Sequence, residues 1–306
     1  MSKGNVLVAM QSAALIVGFG DIGRRVARLL APTHRVIALI RRADREADVR
    51  AVDATPLLAD LDNAASLHCL AGVATTVFHF APPPNHGADD TRTANLLAAL
   101  SSGVAPERLI YISTTGVYGD CQGRWIDELS PLNPESDRAK RRVDAEQRLR
   151  DWSLASDVGL AILRAPGIYS LDRLPLERLR AGTPAIVAAE DAWSNHIHAH
   201  DLANAAVHAM ARVKRGAEPS TSVFNIVDDS QLKMGDYFDL VADHFGLPRP
   251  PRVSRADAGS QVSVAMLSFM RESRRIRNQK MKSELALALA YPTVQVFLKA
   301  LARPAG

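Results

Sequence analysis

Short continuous apolar runs alternate with amphipathic stretches through the first half of the chain. The runs are Ala13 to Val17, Arg35 to Ile40, Pro56 to Ala59, Thr75 to Phe80, Leu109 to Ile112 and Leu160 to Leu163. A strand with one wet face alternates polar and apolar residues, whereas these runs read as strands buried on both faces. Between them, Arg24 to Leu30 and the pieces near residues 64–71, 89–102 and 136–154 space their apolar residues as helices do. Strand and helix in strict alternation predict an α/β fold, a doubly wound parallel sheet with crossover helices. Beyond Pro166 the rhythm shortens, with one returning strand at Val223 to Ile226 and helices near 234–245, 282–290 and 293–301. The pattern therefore predicts a sheet domain over residues 1–165 and a smaller C-terminal lobe over 166–306, of which about 196–228 returns to the sheet core. Pro248 to Arg252 is the one linker-like stretch, and no internal repeat appears.

The first strand runs straight into Gly18-Phe19-Gly20-Asp21-Ile22-Gly23, and a helix follows. In that context the three glycines have distinct tasks: a tight turn, close approach of backbone to a pyrophosphate, and close packing of helix on strand. An anion there would meet the free N–H groups and the positive end of the helix dipole. The pattern is that of a dinucleotide site. Roughly 20 residues further on, such a fold places its second strand end beside the adenosine ribose. Here that end is Arg41-Arg42, and two guanidiniums suit the 2′-phosphate of NADP better than the bare hydroxyl of NAD. Asp44 is the alternative ribose ligand if the strand runs a few residues longer.

Composition narrows the function classes. The chain has 306 residues, 47% hydrophobic and 23% charged, with a net charge of +4, an ordinary globular balance. Basic residues gather between Arg138 and Arg150, but Asp144 and Glu146 interrupt them and no aromatic residue is present for base stacking. A solvated helix face is expected there rather than a nucleic-acid site. No run of about 18 apolar residues supports a membrane span. The stretch Met1 to Met10 leads into the first strand rather than to a small-residue cleavage site, so no secretory leader is expected. Cys69 and Cys121 are far apart and lack a Cys-x-x-Cys partner, which fits a reducing, cytoplasmic setting.

Four motifs follow in order, Gly18-x-Gly20-x-x-Gly23, Ser113-Thr114-Thr115-Gly116-Val117-Tyr118-Gly119, Leu163-Arg164-x-Pro166-Gly167-Ile168-Tyr169 and Ile197-His198-x-x-Asp201-Leu202-Ala203. Together they resemble the short-chain dehydrogenase/reductase superfamily, in its extended or atypical branch of NAD-dependent epimerase/dehydratase-like proteins. The resemblance implies a Rossmann-type domain with a substrate lobe. It implies that Asp60 and Leu61 lie by the adenine, that Ala81, Pro82 and Pro83 line the dinucleotide, and that Pro166, Gly167 and Ile168 lie near the nicotinamide; Ser113 is a further cofactor-binding candidate. It also maps the catalytic hydroxyl of the family onto Thr114. For any homodimer it implies pairing through the helices flanking the fifth strand, which the basic face from Arg138 to Arg150 opposes unless acidic residues answer it.

One departure bears on mechanism. Redox members of the family carry Tyr-x-x-x-Lys on the helix after the fifth strand, four residues apart so that both share a face. With Lys140 in the lysine slot the tyrosine slot holds Ser136, and with Arg142 there it holds Arg138. Three readings stay open: an enzyme with Tyr118 as displaced acid/base, an enzyme that draws a proton donor such as His196 or His198 from the lobe, and a non-catalytic NADP-binding sensor that acts through a protein partner. For the enzyme, a nucleotide sugar or another polar small molecule is the expected substrate. The alternation His196, His198, His200 invites a metal reading, but no nearby cysteine or carboxylate cluster completes a ligand set, and none is expected. Ser113 lacks a Gly-x-Ser-x-Gly elbow, which argues against hydrolysis. Arg271, Arg274, Arg275 and Arg277 read as a solvated basic helix, with an anion site as the alternative.

Overall fold

The structure, a computed structural model, describes residues 12–259 and 271–301. The stretch Met1 to Met10 lies outside the described residues. Strands β1 (Ala13–Val17), β2 (Arg35–Ile40), β3 (Thr55–Leu58), β4 (Thr76–His79) and β5 (Arg108–Thr114) alternate with helices α1 (Asp21–Leu30), α2 (Glu46–Arg50) and α3 (Thr91–Leu100). The two-residue strand β6 (Trp125–Ile126), the long helix α4 (Asp137–Ser156) and β7 (Gly159–Ala165) follow. After it come β8 (Gly167–Tyr169), α5 (Leu176–Arg180), β9 (Ala185–Ile186), β10 (Trp193–Ser194), β11 (His196–His198) and α6 (Ala199–Arg212). The chain continues with β12 (Thr221–Asn225), β13 (Leu232–Lys233), α7 (Met234–Phe245), β14 (Arg252–Val253), α8 (Arg255–Ala258), β15 (Arg275–Ile276), α9 (Gln279–Glu284) and α10 (Val294–Ala300).

Seven strands form one parallel sheet in the order β12-β7-β5-β4-β1-β2-β3. The order reverses between β1 and β4, and an open α/β sheet holds its ligand in the crevice at such a point, beyond the carboxyl ends of the strands. One face packs on α1 and α6 through Val26, Leu30, Leu202 and Ala206. The other packs on α3 and α4 through Leu96, Leu100, Ala145 and Leu149. A separate cluster built on Tyr169, Tyr237, Phe238, Val294 and Phe297 gathers residues from the C-terminal half. Among the described residues no helix is long and apolar enough to cross a membrane.

Several expectations shift for local reasons. β3 is a sheet edge with exposed ends rather than a strand buried on both faces, which is why it tolerates Pro56. The stretch near 64–71 is the 3-10 helix Ala64–Leu70, whose buried Leu67 and Leu70 are spaced three apart as that helix requires. The helix near 282–290 comes earlier, as α9, because Ala286 takes a left-handed φ of 49° just past its end. The basic stretch of α4 is no solvated face: Arg141, Arg142 and Glu146 are buried. Nor do the C-terminal arginines form a solvated helix. Arg274 is buried and donates to the Gly119 carbonyl, while Arg275 lies in β15, between the rings of Trp125 and Trp193.

A buried ion pair fixes α4 on the sheet. Arg164 donates through Nε and Nη2 to the two carboxylate oxygens of Glu146 at 3.1 and 2.7 Å, and through Nη1 to the Tyr118 hydroxyl at 2.8 Å. The Tyr118 hydroxyl donates in turn to Asn225 Oδ1 at 2.8 Å, so α4, β7, β12 and the 3-10 helix Thr115–Tyr118 meet at one guanidinium. Burial disfavours the charge on Arg164, and the Glu146 hydrogen bonds outweigh it and hold the guanidinium ionised. Breaking such a pair strands one charge in the interior. Glu146→Ala is expected to lower the unfolding free energy by about 3–5 kcal/mol, measured by urea denaturation, and the joint replacement Glu146→Leu with Arg164→Met to cost much less.

Candidate functional site

The crevice at the β1–β4 switch is built by backbone contact. The amides of Phe80 and Ala81 both donate to the Val17 carbonyl, at 2.7 and 2.9 Å, and draw the end of β4 onto the turn after β1. Gly18 has a φ of 101°, and a Cβ there would meet the Ala81 nitrogen at 2.4 Å. Gly23 is equally confined, since its Cβ would meet the Gly18 carbonyl at 2.7 Å. Gly20 differs: nothing lies within 4 Å of its Cβ position, and it caps α1 with no side chain on the first-turn amides. The open space and the free N–H groups form a cradle for a pyrophosphate. Asp21, the one acidic residue of that turn, is held by Arg25 at 2.8 Å and Arg173 at 3.3 Å, which reduces its repulsion of an anion. Ile22 is buried under the helix.

From the cradle a cavity of about 370 Å³ runs toward the end of β2. Gly18, Phe19, Arg41, Arg42, Asp60, Leu61, Ala81 and Pro82 all line it, together with Arg45 and Arg92. Pro83 is buried behind that wall. The sequence reading missed Arg45 and Arg92. Arg45 is one turn beyond the strand end, a signal that a wider window would have caught. Arg92 comes from the first turn of α3 and reaches back to pin the proline loop, donating to the Pro82 carbonyl at 3.1 Å and bidentately to Asp62 at 2.7 and 2.6 Å. No local sequence pattern signals that. Arg42 pairs with Asp44 at 2.8 Å and Arg45 with Asp48 at 2.7 Å. Exposed Arg41 makes no hydrogen bond or ion pair among the described residues. Asp44, the alternative ribose ligand, is thus engaged with Arg42.

A second cleft, of about 220 Å³, opens where β5 and β7 end against the lobe. Thr114, Arg138, Pro166, Gly167, Ile168 and His196 line it, with Tyr169, Arg173, Trp193, Tyr237 and Glu272 from the lobe side. The Thr114 hydroxyl accepts from the Gly116 amide at 3.2 Å, which orients its oxygen and leaves its proton to donate. Ser113 is buried, and its hydroxyl has no hydrogen-bond partner among the described residues; it lines neither cleft. On α4, Ser136 caps the helix by accepting from the Ala139 amide, and Lys140 is exposed beside Asp137. Arg142 faces inward, while Arg138 is exposed at the rim of the cleft. Arg138 reaches the cleft, and Arg142 is buried with Nη1 donating to the Tyr111 hydroxyl and the Ile112 carbonyl, both at 2.9 Å.

The displaced acid/base candidates separate. Tyr118 is 1% exposed, lines neither cleft and spends its hydroxyl on Arg164 and Asn225; burial pushes its phenol up. It is a packing residue, and the sequence could not show this because both partners lie on distant strands. His198 is committed too: its Nδ1 accepts from the His200 amide at 3.2 Å as the cap of α6, and Asp201 accepts from the amides of Ala290 and Tyr291. His196 is the histidine in the cleft wall, its ring 4.4 Å from that of Tyr237, and burial lowers its pKa to about 4, so it is neutral at physiological pH. Behind it, burial pushes the Asp228 carboxyl up to about 7. No cluster of three or more metal-ligating side chains occurs among the described residues.

Known proteins bear out the architecture. No curated protein sequence matches the chain. A solved structure described as a functionally unknown conserved protein from Silicibacter pomeroyi DSS is 31% identical, with a TM-score of 0.79 over 94% of this chain and 97% of that one. UDP-glucose 4-epimerase from Thermotoga maritima superposes with a TM-score of 0.74 at 16% identity, over 94% of this chain and 97% of its own. UDP-glucuronic acid 4-epimerase from Bacillus cereus, solved in complex with NAD, does so at 0.71 and 16%, over 94% and 98%. At that identity the two epimerases speak for the fold alone. The family profile, however, matches residues 14–226, from the first strand of the sheet to the last: the chain belongs to the NAD dependent epimerase/dehydratase family.

Proposed function

We propose that this chain binds NADP(H) across the two clefts and is an NADP-dependent oxidoreductase or epimerase/dehydratase acting on a nucleotide sugar or another polar small molecule. The observation that carries the reading is Arg41, a guanidinium with no ion pair among the described residues at the far end of the first cavity, with Arg42, Arg45 and Arg92 beside it. A lone cation among three paired ones favours a bound phosphate, and Arg presents the fork geometry to grip it. Gly18 to Gly23 would hold the pyrophosphate, Asp60 and Leu61 the adenine side, and Pro166, Gly167 and Ile168 the nicotinamide side. When bound, the dinucleotide supplies hydride transfer.

The chain's own residues do the rest. Residues 166–306 furnish the substrate side, with 196–228 returning to the sheet. Thr114 donates its free hydroxyl proton as a hydrogen bond to the reacting oxygen of the substrate, and the aromatic wall of Tyr169, Trp193 and Tyr237 excludes water. The sensor reading keeps one observation in its favour. The positions of α4 nearest the second cleft and the sheet edge hold Arg138 and Arg142, and a guanidinium does not exchange protons near neutral pH. Turnover separates the two readings, since a sensor binds the dinucleotide and consumes none.

Calorimetric titration tests the cofactor. Arg41→Ala is expected to weaken NADPH roughly tenfold or more, the size of one charge-assisted hydrogen bond, and to leave NADH unchanged. An unaltered preference removes Arg41 from the site. In a substrate screen followed by NADPH absorbance, Thr114→Ala should lower turnover by about 10²–10³ at unchanged dinucleotide affinity. Tyr118→Phe should lose stability, because Arg164 and Asn225 lose a partner, yet keep its turnover.

A further inference from the structure

Arg92 enters the wall of the first cavity from the first turn of α3, and its guanidinium is clamped flat there. Nε and Nη2 donate to the two carboxylate oxygens of Asp62, at 2.7 and 2.6 Å, and Nη1 donates to the carbonyls of Pro82 and Pro83, at 3.1 and 3.4 Å. The group thus bridges the loop after β3 and the loop after β4. Asn95, one turn further along α3, donates to the Leu61 carbonyl at 2.8 Å, so the same helix grips the loop after β3 at a second point. The charge is answered in full: the Asp62 hydrogen bonds raise the guanidinium above its ordinary pKa, and Arg92 needs no further anion. Guanidinium N–H groups donate in the plane of the group. With all three nitrogens engaged along that plane, the part of the side chain still open to the cavity is its face.

Resting on the reading of this cavity as the dinucleotide site, we propose that Arg92 stacks the face of its guanidinium on the adenine base. A flat cation attracts the π system of a ring laid on it. Phe19, beside Gly18, is the one aromatic residue that lines this cavity among the described residues, so at the Leu61 end Arg92 is the stacking surface. Asp62 is then a positioning residue, which acts by holding the Arg92 plane in place. The stack serves NADP and NAD alike, since both carry adenine, and it is separate from the 2′-phosphate at Arg41.

The test is calorimetric titration of the full chain with NADPH and NADH, then with AMP and with ribose 5-phosphate, which carries a hydroxyl in place of the base. Wild type is expected to bind AMP more tightly than ribose 5-phosphate. Arg92→Lys keeps the charge and loses the flat face; it should weaken AMP and the preferred dinucleotide roughly tenfold and leave ribose 5-phosphate within about twofold. Asp62→Asn keeps Arg92 and loosens its clamp, and should weaken AMP by a smaller factor with the same selectivity. A purely structural role for Arg92 predicts otherwise, because a displaced proline loop weakens both ligands together. Equal loss of the two ligands overturns the proposal, as does AMP that binds the lysine variant as tightly as wild type or fails to bind wild type. Should the lysine variant not fold, Asp62→Asn carries the same comparison. Failure of both dinucleotides is a different result: it removes the cofactor reading, and AMP against ribose 5-phosphate then judges Arg92 alone.

Discussion

The structure depends on one close approach, that of the turn after β1 to the end of β4. No side chain fits between the Gly18 and Ala81 backbones, and the two amides that converge on the Val17 carbonyl keep it so. This contact opens the crevice at the switch in strand order and aims α1 at it with uncapped amides. Every group assigned to the dinucleotide is placed by strands that end at this edge. Replacing Gly18 would move β4 away from β1 and misplace the proline loop, which Arg92 then could not pin.

The second half of the site rests on a different constraint, the buried guanidinium of Arg164. Its partner Glu146 sits two turns along α4 from Arg138, so the ion pair that anchors the helix also sets how Arg138 and Arg142 enter the sheet edge. Tyr118 joins this anchor from the loop that carries Thr114. A single desolvated charge thereby ties the hydroxyl at the end of β5, the arginines of α4 and the last strand of the sheet into one rigid frame. The structural duty of Tyr118 follows from that frame, since a phenol that holds Arg164 and Asn225 is not available to a substrate.

Much of this was legible in the chain. The apolar runs placed the sheet strands to within a few residues, and the turn after β1 and the end of β2, both legible as short motifs, do line one cavity, because those features act through residues adjacent in sequence. The unread parts are those in which partners are far apart. Arg92 reaches its loop from another helix, Glu272 and Arg274 reach the cleft from the C-terminal segment, and Glu146 looks like one more charge in a basic run until β7 is laid beside it. Charge patterning along α4 suggested a wet face because it reports sequence neighbours, whereas burial of Arg141, Arg142 and Glu146 is decided by contacts with Gly87, Tyr111 and Arg164.

The central claim is that one phosphorylated dinucleotide lies across both clefts, with its adenosine end at Arg41 and its reactive end beside Thr114. A crystal structure of the full chain grown with NADPH tests it most directly. The account predicts the 2′-phosphate on the Arg41 guanidinium, the pyrophosphate over Gly20 and the nicotinamide ring against Pro166 to Ile168. A dinucleotide whose nicotinamide turns away from Thr114, or whose 2′-phosphate leaves Arg41 uncontacted, contradicts it.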